Sequence, residues 1–426
     1  MKLQKVSQTI TPFAGISFVH EEFNKSGLSN LIDNYLGIRN STGYSYAELF
    51  RTWFEVFFCG GEVAEDVQKH LRCTLENIPD NKVASPDTLL RVLTELATEN
   101  TIITSTSGKE YEFNINKKMN DLNIKSLLLT KQLKKGEMYD FDYDNQITKH
   151  EKWDAKRTYK NTTGYFPGVA TINDKIVYIE NRDGNANVKI AQDETLERTY
   201  ELLQENEIKI DRSRMDAGSY AKDIIDMVSK HSRLFYIRAN RSESMFEQIC
   251  QIDDWKEVEV NFKSYEVASI PFLHFFEERN YRLVIMREKS DNAQLDLFTG
   301  DNFIYRSILT NDYESSEKEI IQYYNMRGAS EKLFDIQNND FGWKRLPTSD
   351  MNSNTVFLIL TSMMKNFYNH FIKKVSDVFT DIPLRSRMKR FIFGFICVAG
   401  KWIKQSRQWK LRLYTDRPYK KLIMYR

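Results

Sequence analysis

The sequence predicts an α/β protein in which a mixed β-sheet is flanked by helices, with a helical region before it and a basic helical tail after it. Three observations support this prediction. The first 100 residues have helical periodicity, the period changes to two from about residue 137, and helices alternate with strands from about residue 193. A chain of 426 residues is long enough for two or three domains.

The N-terminal helices are predicted from their start signals. Ser45 and Glu48 form a capping box before an aromatic-rich run. Ser85, Pro86 and Asp87 supply the cap, the first-turn proline and the first-turn acid of another helix. Short helices with sharp turns are typical of helix-turn-helix modules, so region 1–125 is predicted to be a helical DNA-binding domain.

Residues 136–250 are predicted to form the first part of the sheet. Three strands are expected over 138–147, 164–172 and 175–179, and helices then alternate with strands over 193–238. A meander followed by crossovers is the arrangement of ribonuclease-H-like nucleases. Strand-like runs over 251–312 predict a β-rich insertion, and two long helices over 313–380 complete this core.

Composition disfavours several classes of protein. Hydrophobic residues make up 41% of the chain and charged residues 28%, which is ordinary for a globular protein. The longest apolar stretches are too short to span a bilayer, so we expect a cytoplasmic protein without a membrane partner. The four cysteines and six histidines lack zinc-site spacing, and no phosphate-binding loop motif indicates a nucleotide cofactor.

The basic C-terminal region, residues 381–426, contrasts with a net charge of only +2 for the whole chain. Lysine and arginine recur from residue 385 onward, interleaved with tryptophan and tyrosine, and Asp416 is the only acid between residues 385 and 426. This composition is typical of surfaces that neutralise DNA phosphates, although a solvated helix face is the alternative. The first basic residues of this region are Arg385, Arg387, Lys389 and Arg390.

Three carboxylates are candidates for a metal site. Asp144 lies on the first predicted strand, Asp216 follows the fourth, and Glu331 lies in a long predicted helix. The first and fourth strands can be neighbours, so their carboxylates can converge while the helix delivers the third. Three hard oxygen ligands with open positions suit Mg²⁺.

One stripe of the predicted helix over 316–340 carries Tyr324, Arg327, Glu331 and Asn338, because they are separated by three, four and seven residues. Arg327 can form a surface ion pair with Glu331 four residues later. Beside a phosphate substrate, the same guanidinium would act as a bidentate clamp.

These segments together resemble a known family. The string YYNMRGASEK at 323–332 is similar to the tyrosine, two residues, arginine, three residues, glutamate signature of DDE transposases encoded by bacterial insertion sequences. RMDAGSY at 214–220 resembles that family's second-aspartate segment, and YDFDYDN at 139–145 resembles its first-aspartate strand. The resemblance extends over essentially the whole chain and implies a ribonuclease-H-like catalytic core with a β insertion before the glutamate.

The resemblance also implies roles for individual residues. Asp144, Asp216 and Glu331 would hold two Mg²⁺ ions, for which Mn²⁺ can substitute. Asp142 is the alternate to Asp144, because a shift of two residues along a strand keeps the side chain on the same face of the sheet. Tyr324 and Arg327 would contact DNA phosphate near the transposon end. Asn338 stands where the family has a lysine. The remaining implied DNA contacts are therefore Lys332 or Lys344, together with Lys156, Arg157 and Lys160 of the hairpin after the first aspartate.

The function that follows is transposition. The enzyme would cut phosphodiester bonds at transposon terminal inverted repeats and join the 3′ hydroxyls to target DNA, acting as a homodimer on DNA. We expect it in the cytoplasm of a bacterium, associated with the nucleoid. Two alternatives stay open: a catalytically silent DNA-binding regulator derived from a transposase, and a non-transposase nuclease of the same fold.

Overall fold

The computed structural model describes residues 1–4, 9–39, 43–272, 281–290 and 300–424. The helices are α1 (Ile16–Lys25), α2 (Leu28–Leu36), α3 (Tyr46–Phe58), α4 (Arg72–Glu76), α5 (Pro86–Glu95), α6 (Lys117–Leu129), α7 (Gln192–Glu205), α8 (Lys222–His231), α9 (Glu243–Ile249), α10 (Glu317–Asn325), α11 (Ala329–Asp340), α12 (Met351–Val378), α13 (Met388–Phe391) and α14 (Tyr419–Met424).

The strands are β1 (Asn100–Thr104), β2 (Glu110–Asn114), β3 (Met138–Asn145), β4 (Thr148–Lys149), β5 (Lys156–Arg157), β6 (Thr163–Tyr165), β7 (Gly168–Ile172), β8 (Lys175–Arg182), β9 (Lys209–Met215), β10 (Leu234–Arg238), β11 (Lys256–Val260), β12 (Lys263–Phe272), β13 (Tyr281–Lys289), β14 (Phe303–Thr310), β15 (Gly400–Gln405) and β16 (Gln408–Leu413). Short turns of other helix types lie at Val67–Leu71, Ala217–Ser219, Met326–Gly328 and Ile392–Ile396.

The N-terminal helices begin where their caps predict. Ser45 forms the capping box of α3 with Glu48, and Ser85 caps α5. Buried residues of α1, α3 and α5 share one hydrophobic core with α12, where the rings of Trp53 and Phe357 are 5.5 Å apart. This core is therefore built from both ends of the chain. In the described part of the chain, no helix is long and apolar enough to cross a membrane.

The expectation of helices alone in region 1–125 is wrong for β1 and β2. These strands form an antiparallel hairpin, and Phe113 on β2 pairs with Arg182 on β8. Alternating side chains in EYEFN favour a strand over a helix, since Tyr111 and Phe113 are buried on one face. The hairpin extends the main sheet at its edge.

The main sheet has 11 strands in the order β1-β2-β8-β7-β3-β9-β10-β14-β13-β12-β11. β3 pairs with β7 in antiparallel and with β9 in parallel orientation, and β10 is parallel to β9. Asn173 takes a positive φ of 58° in the two-residue turn between β7 and β8. The predicted meander, its neighbour β9 and the following β10 are thus confirmed as one mixed sheet with flanking helices.

The predicted β-rich insertion is confirmed as β11 to β14. These strands are antiparallel, and β14 pairs with β10, so the insertion continues the main sheet instead of forming a separate one. Within the predicted insertion, residues 273–280 and 291–299 lie outside the described residues. Helix α10 packs over the insertion strands through buried Ile320 and Ile321.

The prediction of a helical C-terminal tail is wrong for residues 400–413, which form the β15–β16 hairpin. Ser406 and Arg407 take φ values of 52° and 63° in its turn, and alternating residues on either side favour strands. Thr11 bridges to Gly400, and Tyr419 packs against Phe18 with ring centroids 5.3 Å apart. The basic region is therefore attached to the N-terminal helices.

Candidate active site

Two of the predicted carboxylates meet at the carboxyl edge of β3 and β9. The parallel register pairs Tyr143 with Met215. Asp144 is the next residue of β3, and Asp216 follows β9 directly. Because the carboxyl ends of neighbouring parallel strands lie at the same edge of a sheet, these two acids are side by side. The prediction that the first and fourth strands are neighbours is confirmed.

The alternation of β3 fixes which face the acids occupy. Phe141 and Tyr143 are 0% and 1% exposed and pack in the core between the sheet and the helices α7 and α8. Successive side chains of a strand point to opposite faces, so Asp142 and Asp144 lie on the other face. Hydrophobic burial on one side thus holds the carboxylates toward α10 on the other.

Asp144 is partly buried and has a charged partner. Its Oδ2 accepts a hydrogen bond of 2.9 Å from Nη1 of Arg327, and its Oδ1 accepts one of 2.8 Å from the backbone N–H of Asn145. Burial raises the pKa of Asp144 above its ordinary value, Arg327 opposes this increase, and the charge of Asp216 adds to it. The edge therefore carries a surplus of negative charge that a cation would relieve.

Asp216 is held by the turn that follows it. Its Oδ1 accepts a hydrogen bond of 2.9 Å from the backbone N–H of Gly218, which caps the turn at Ala217–Ser219. A Cβ at Gly218 would lie 3.0 Å from that same oxygen and 3.1 Å from Cγ1 of Val188. Glycine at this position thus lets the backbone approach the carboxylate closely enough to orient it.

Tyr324 and Arg327 reach this edge from α10 and the turn after it. The hydroxyl of Tyr324 donates a hydrogen bond of 3.2 Å to the carbonyl oxygen of Met215, the residue before Asp216. Burial works against the charge of Arg327, but Asp144, Tyr324 and Asp216 raise its pKa above the ordinary value. Arg327 therefore stays a cation beside the two carboxylates.

The prediction of one continuous helix over 316–340 is wrong. α10 ends at Asn325, a 3₁₀ turn follows at Met326–Gly328, and α11 begins at Ala329. This break lets Arg327 turn toward the sheet, so its described ion pair is with Asp144 instead of the expected surface pair with Glu331.

Glu331 lies in the first turn of α11 and is exposed. Asn338 lies further along the same helix, on the other side of the break from Tyr324. Within the described ranges, no group of three or more histidine, cysteine, aspartate or glutamate side chains is close enough to hold a metal ion. The structure thus brings together Asp144, Asp216, Tyr324 and Arg327, and it leaves Glu331 apart.

Asp142 has a different environment from Asp144. Both of its oxygens accept hydrogen bonds of 2.7 Å from Arg214 on β9, and each side chain of this pair is only 8% exposed. Nη1 of Arg214 also donates to the carbonyl oxygen of Tyr323 at 2.8 Å, which ties α10 to the sheet. Sequence reasoning missed this arginine, although the alternating D-R-S-R of β9 faces the alternating acids of β3 and could have indicated it.

The predicted DNA contacts differ in how they are held. Most are exposed; these are Lys156, Arg157, Lys160, Lys332, Lys344, Arg385, Lys389 and Arg390. Arg387 is instead partly buried and forms ion pairs of 2.6 Å with Asp335 and Asp340. These ion pairs attach the C-terminal region to α11, so the charge of Arg387 serves the fold.

The chain resembles one known protein family over nearly its whole length. The sequence profile of a family described as "Transposase DDE domain group 1" matches residues 1–425. No curated protein matches the chain. Among solved structures, a cryo-EM structure of a piggyBac transposase synaptic complex with hairpin DNA is similar over 90% of this chain and 78% of that chain, at 11% identity and a TM-score of 0.45.

Proposed function

The chain belongs to the family of DDE transposases, and we propose that it cuts DNA strands at the ends of its own element and joins them to target DNA. The observation that carries this proposal is the pair Asp144 and Asp216, side by side at the carboxyl edge of two parallel strands. We further propose that the protein belongs to the insertion-sequence branch with the tyrosine, arginine and glutamate signature at 324, 327 and 331.

The proposed ribonuclease-H-like core corresponds to the middle of the main sheet. Its five strands lie in the order β8-β7-β3-β9-β10, in which the first strand of the core is central and the meander lies on one side of it. The two parallel strands lie on the other side. This order supports the proposal because the meander and the crossovers place the two aspartates next to each other.

The carboxylates at this edge fit divalent cations. Asp144 and Asp216 are hard oxygen donors at one edge, and their mutual repulsion would be relieved by a bound cation. We propose them as ligands, with Glu331 as the third. When bound, Mg²⁺ or Mn²⁺ would supply a polarised water or 3′ hydroxyl and charge stabilisation at the phosphate. The buried pair of Asp142 with Arg214 favours Asp144 over Asp142 as the first ligand.

Arg327 and Tyr324 are proposed to position the phosphate. The guanidinium of Arg327 has several donors in a planar arrangement, so it can transfer from Asp144 to a phosphate oxygen without losing its charge. Tyr324 fixes the position of α10 against β9 through Met215. These two residues would therefore orient the DNA strand relative to the carboxylates.

The DNA-binding surface is proposed to include exposed cations on three segments. Lys156 and Arg157 form β5 of the small sheet after β3, and Lys160 lies in the turn before β6. Lys332 lies on α11, and Lys344 follows that helix. The exposed lysines and arginines of 385–424 would add backbone affinity that falls with salt. We propose a homodimer on terminal inverted repeats and target DNA, in the bacterial cytoplasm.

The test is a cleavage assay on duplexes taken from the DNA that flanks the coding region. The unmodified protein should nick these ends only with Mg²⁺ or Mn²⁺, whereas Asp144→Asn, Asp216→Asn and Glu331→Gln should bind the same duplexes without cutting them. Asp140→Asn is the matched control and should still cut. Cleavage by Asp216→Asn at the original rate would overturn the proposed chemistry.

A second candidate is a DNA-binding regulator that lacks catalysis. One observation favours it: among the residues that the structure describes, no third metal-ligating side chain joins Asp144 and Asp216. Specific binding of the flanking inverted repeats, with no nicking under either metal, would support this candidate over the transposase.

A further inference from the structure

Residues 183–192, which connect β8 to the first turn of α7, lie against the turn that follows Asp216. Three side chains of this connecting segment contact that turn, two through hydrogen bonds and one through packing. They are Lys189, whose Nζ donates to the carbonyl oxygen of Tyr220 at 2.8 Å; Gln192, whose Nε2 donates to Oγ of Ser219 at 2.7 Å; and Val188, whose Cγ1 lies 3.1 Å from the position of a Cβ on Gly218. Because Gly218 donates the hydrogen bond that orients Asp216, the connecting segment supports the position of that carboxylate.

Arg182, the last residue of β8, holds the connecting segment in place. Its Nη1 donates hydrogen bonds to the carbonyl oxygens of Val188 at 3.3 Å and Ile190 at 3.4 Å, which lie on either side of Lys189. The next residue, Ala191, takes a left-handed φ of 48°, a conformation that is unfavourable for a residue with a Cβ. Arg182 therefore fixes the segment where it contacts the turn and where its backbone is strained.

The same guanidinium is attached to β3. Its Nη2 donates a hydrogen bond of 2.9 Å to the hydroxyl of Tyr143, the residue before Asp144. Gly168 of β7 lies between the two strands, and a Cβ there would overlap that hydroxyl. Since Tyr143 faces the core, Arg182 lies on the opposite face of the sheet from Asp144. It reaches the carboxylates only through other residues.

Stability alone does not account for a charged group at this position. Arg182 is 0% exposed, and it has no ion pair with any residue that the structure describes. Its Nε is buried without a hydrogen-bond partner. Burial of a cation without a counter-charge costs free energy. Its shape does account for it, because one planar group reaches β3 and two carbonyl oxygens of the connecting segment at once.

We propose that Arg182 is a positioning residue for strand cleavage, which holds the connecting segment against the turn after Asp216 and so fixes that carboxylate relative to Asp144. The inference rests on the proposed function, because it concerns the carboxylates that would hold metal there. Arg182 acts through Tyr143 on one side and through the connecting segment on the other. Its replacement should therefore spare DNA binding and weaken the hold on metal.

The first measurement is hydrogen exchange of residues 216–220 in the full chain without metal or DNA. Arg182→Lys keeps the charge, but a single ammonium group cannot reach β3 and both carbonyl oxygens together. We expect exchange in 216–220 to become about tenfold faster in this variant, because the support of the turn is lost. Exchange along β9 should stay unchanged.

The second measurement separates metal binding from DNA binding. Arg182→Lys should bind a terminal-repeat duplex with unchanged affinity but need about tenfold more Mg²⁺ for half-maximal cleavage. Saturating Mg²⁺ should restore most of the rate, since the carboxylates themselves are intact. The rise in melting temperature caused by Mn²⁺ should be smaller in the variant at the same metal concentration.

Two further variants test the connections on either side of Arg182. Tyr143→Phe removes only the hydroxyl that accepts from Arg182, and Lys189→Met removes the hydrogen bond to Tyr220 from an exposed side chain. Neither change disturbs the hydrophobic core, so both serve if Arg182→Lys does not fold. Both should speed exchange in 216–220 and raise the Mg²⁺ requirement, by a smaller factor than Arg182→Lys.

Tyr200→Phe is the matched control for Tyr143→Phe. The hydroxyl of Tyr200 lies in the same core and forms a hydrogen bond of the same 2.9 Å length, but with Ser213, which is further from the carboxyl edge. This variant should lose similar stability while exchange in 216–220 and the Mg²⁺ requirement stay unchanged.

Unchanged exchange in 216–220 in the Arg182, Tyr143 and Lys189 variants would overturn the proposal. So would a loss of cleavage that Mg²⁺ does not restore and that matches the loss of folded protein, because Arg182 would then serve only stability. An unmodified protein that cuts none of the flanking duplexes would instead contradict the proposed function. The exchange measurement would still decide whether Arg182 holds this turn.

Discussion

Strands β3 and β9 carry three successive rows of charged side chains on one face, and the rows differ in sign. From the amino end to the carboxyl edge, the rows are Asp140 with Arg212, Asp142 with Arg214, and Asp144 with Asp216. The first two are ion pairs of opposite charge. The third places two carboxylates together, and its neutralising group, Arg327, comes from outside the sheet. The same local pattern therefore forms ion pairs in two rows and places two like charges together in the third.

The rows differ in whether their charges cancel within the sheet. In the second row, burial raises the pKa of Asp142, although the charge and hydrogen bonds of Arg214 lower it. The pair therefore depends on its two hydrogen bonds and on the contact of Arg214 with the carbonyl oxygen of Tyr323. In the third row, the like charge of Asp216 adds to the burial of Asp144. A row of unlike charges is neutral within the sheet, whereas in the row of like charges Arg327, from outside the sheet, supplies the opposite charge to Asp144.

The largest expected effect on stability concerns the second row. Asp142→Asn should lower the free energy of unfolding by about 3–5 kcal/mol, because it leaves the buried guanidinium of Arg214 without its counter-charge. Urea denaturation followed by circular dichroism measures this change. The double variant Asp142→Leu/Arg214→Met should recover most of the loss, since an apolar pair can replace a buried ion pair.

A loss below about 1 kcal/mol in Asp142→Asn would be the value of an exposed ion pair. The second row would then not differ from an ordinary surface contact, and the comparison would fail.

The third row should respond in the opposite direction. Asp216→Asn removes the repulsion but keeps an oxygen that can accept the hydrogen bond from Gly218, so we expect the free energy of unfolding to rise by about 0.5–2 kcal/mol while cleavage is lost. Asp144→Asn is the informative comparison, because it also removes the partner of Arg327 and should not stabilise the protein. Destabilisation by Asp216→Asn would mean that its charge supports the fold.

Sequence periodicity predicted most of the sheet because burial on one face leaves a clear pattern. Phe141 and Tyr143 of β3 alternate with acids, whereas β13 and β14 are covered on both faces and are predicted from short, nearly continuous apolar runs. Residues 400–413 alternate as well, but the basic composition of the tail favours a helix, so the sequence prediction and the observed hairpin differ there. Residues 100–114 form a hairpin at a sheet edge, where burial is partial and the signal is weaker.

The candidate site could be predicted where it depends on the order of the strands, and less well where it depends on the interruption between α10 and α11. Asp144 and Asp216 come together because their strands are adjacent, which a crossover topology implies. Residue spacing does not predict the break at Met326–Gly328; it puts Arg327 on one helical stripe with Glu331, whereas the structure pairs Arg327 with Asp144.

The smallest expected effect belongs to the first row. The side chains of Asp140 and Arg212 are 24% and 36% exposed, and their two hydrogen bonds of 2.7 Å lie where water and salt can compete. Asp140→Asn should therefore lower the free energy of unfolding by less than about 1 kcal/mol, and the loss should shrink further in 1 M salt, where the screening length is about 3 Å. In that variant the guanidinium of Arg212 would still contact the ring of Tyr323, with its Cζ 4.1 Å from the ring centroid; Arg214 contacts the same ring.

A thermal-denaturation series at low and high salt measures this effect. A salt-independent loss as large as that of Asp142→Asn would show that exposure does not separate the first two rows.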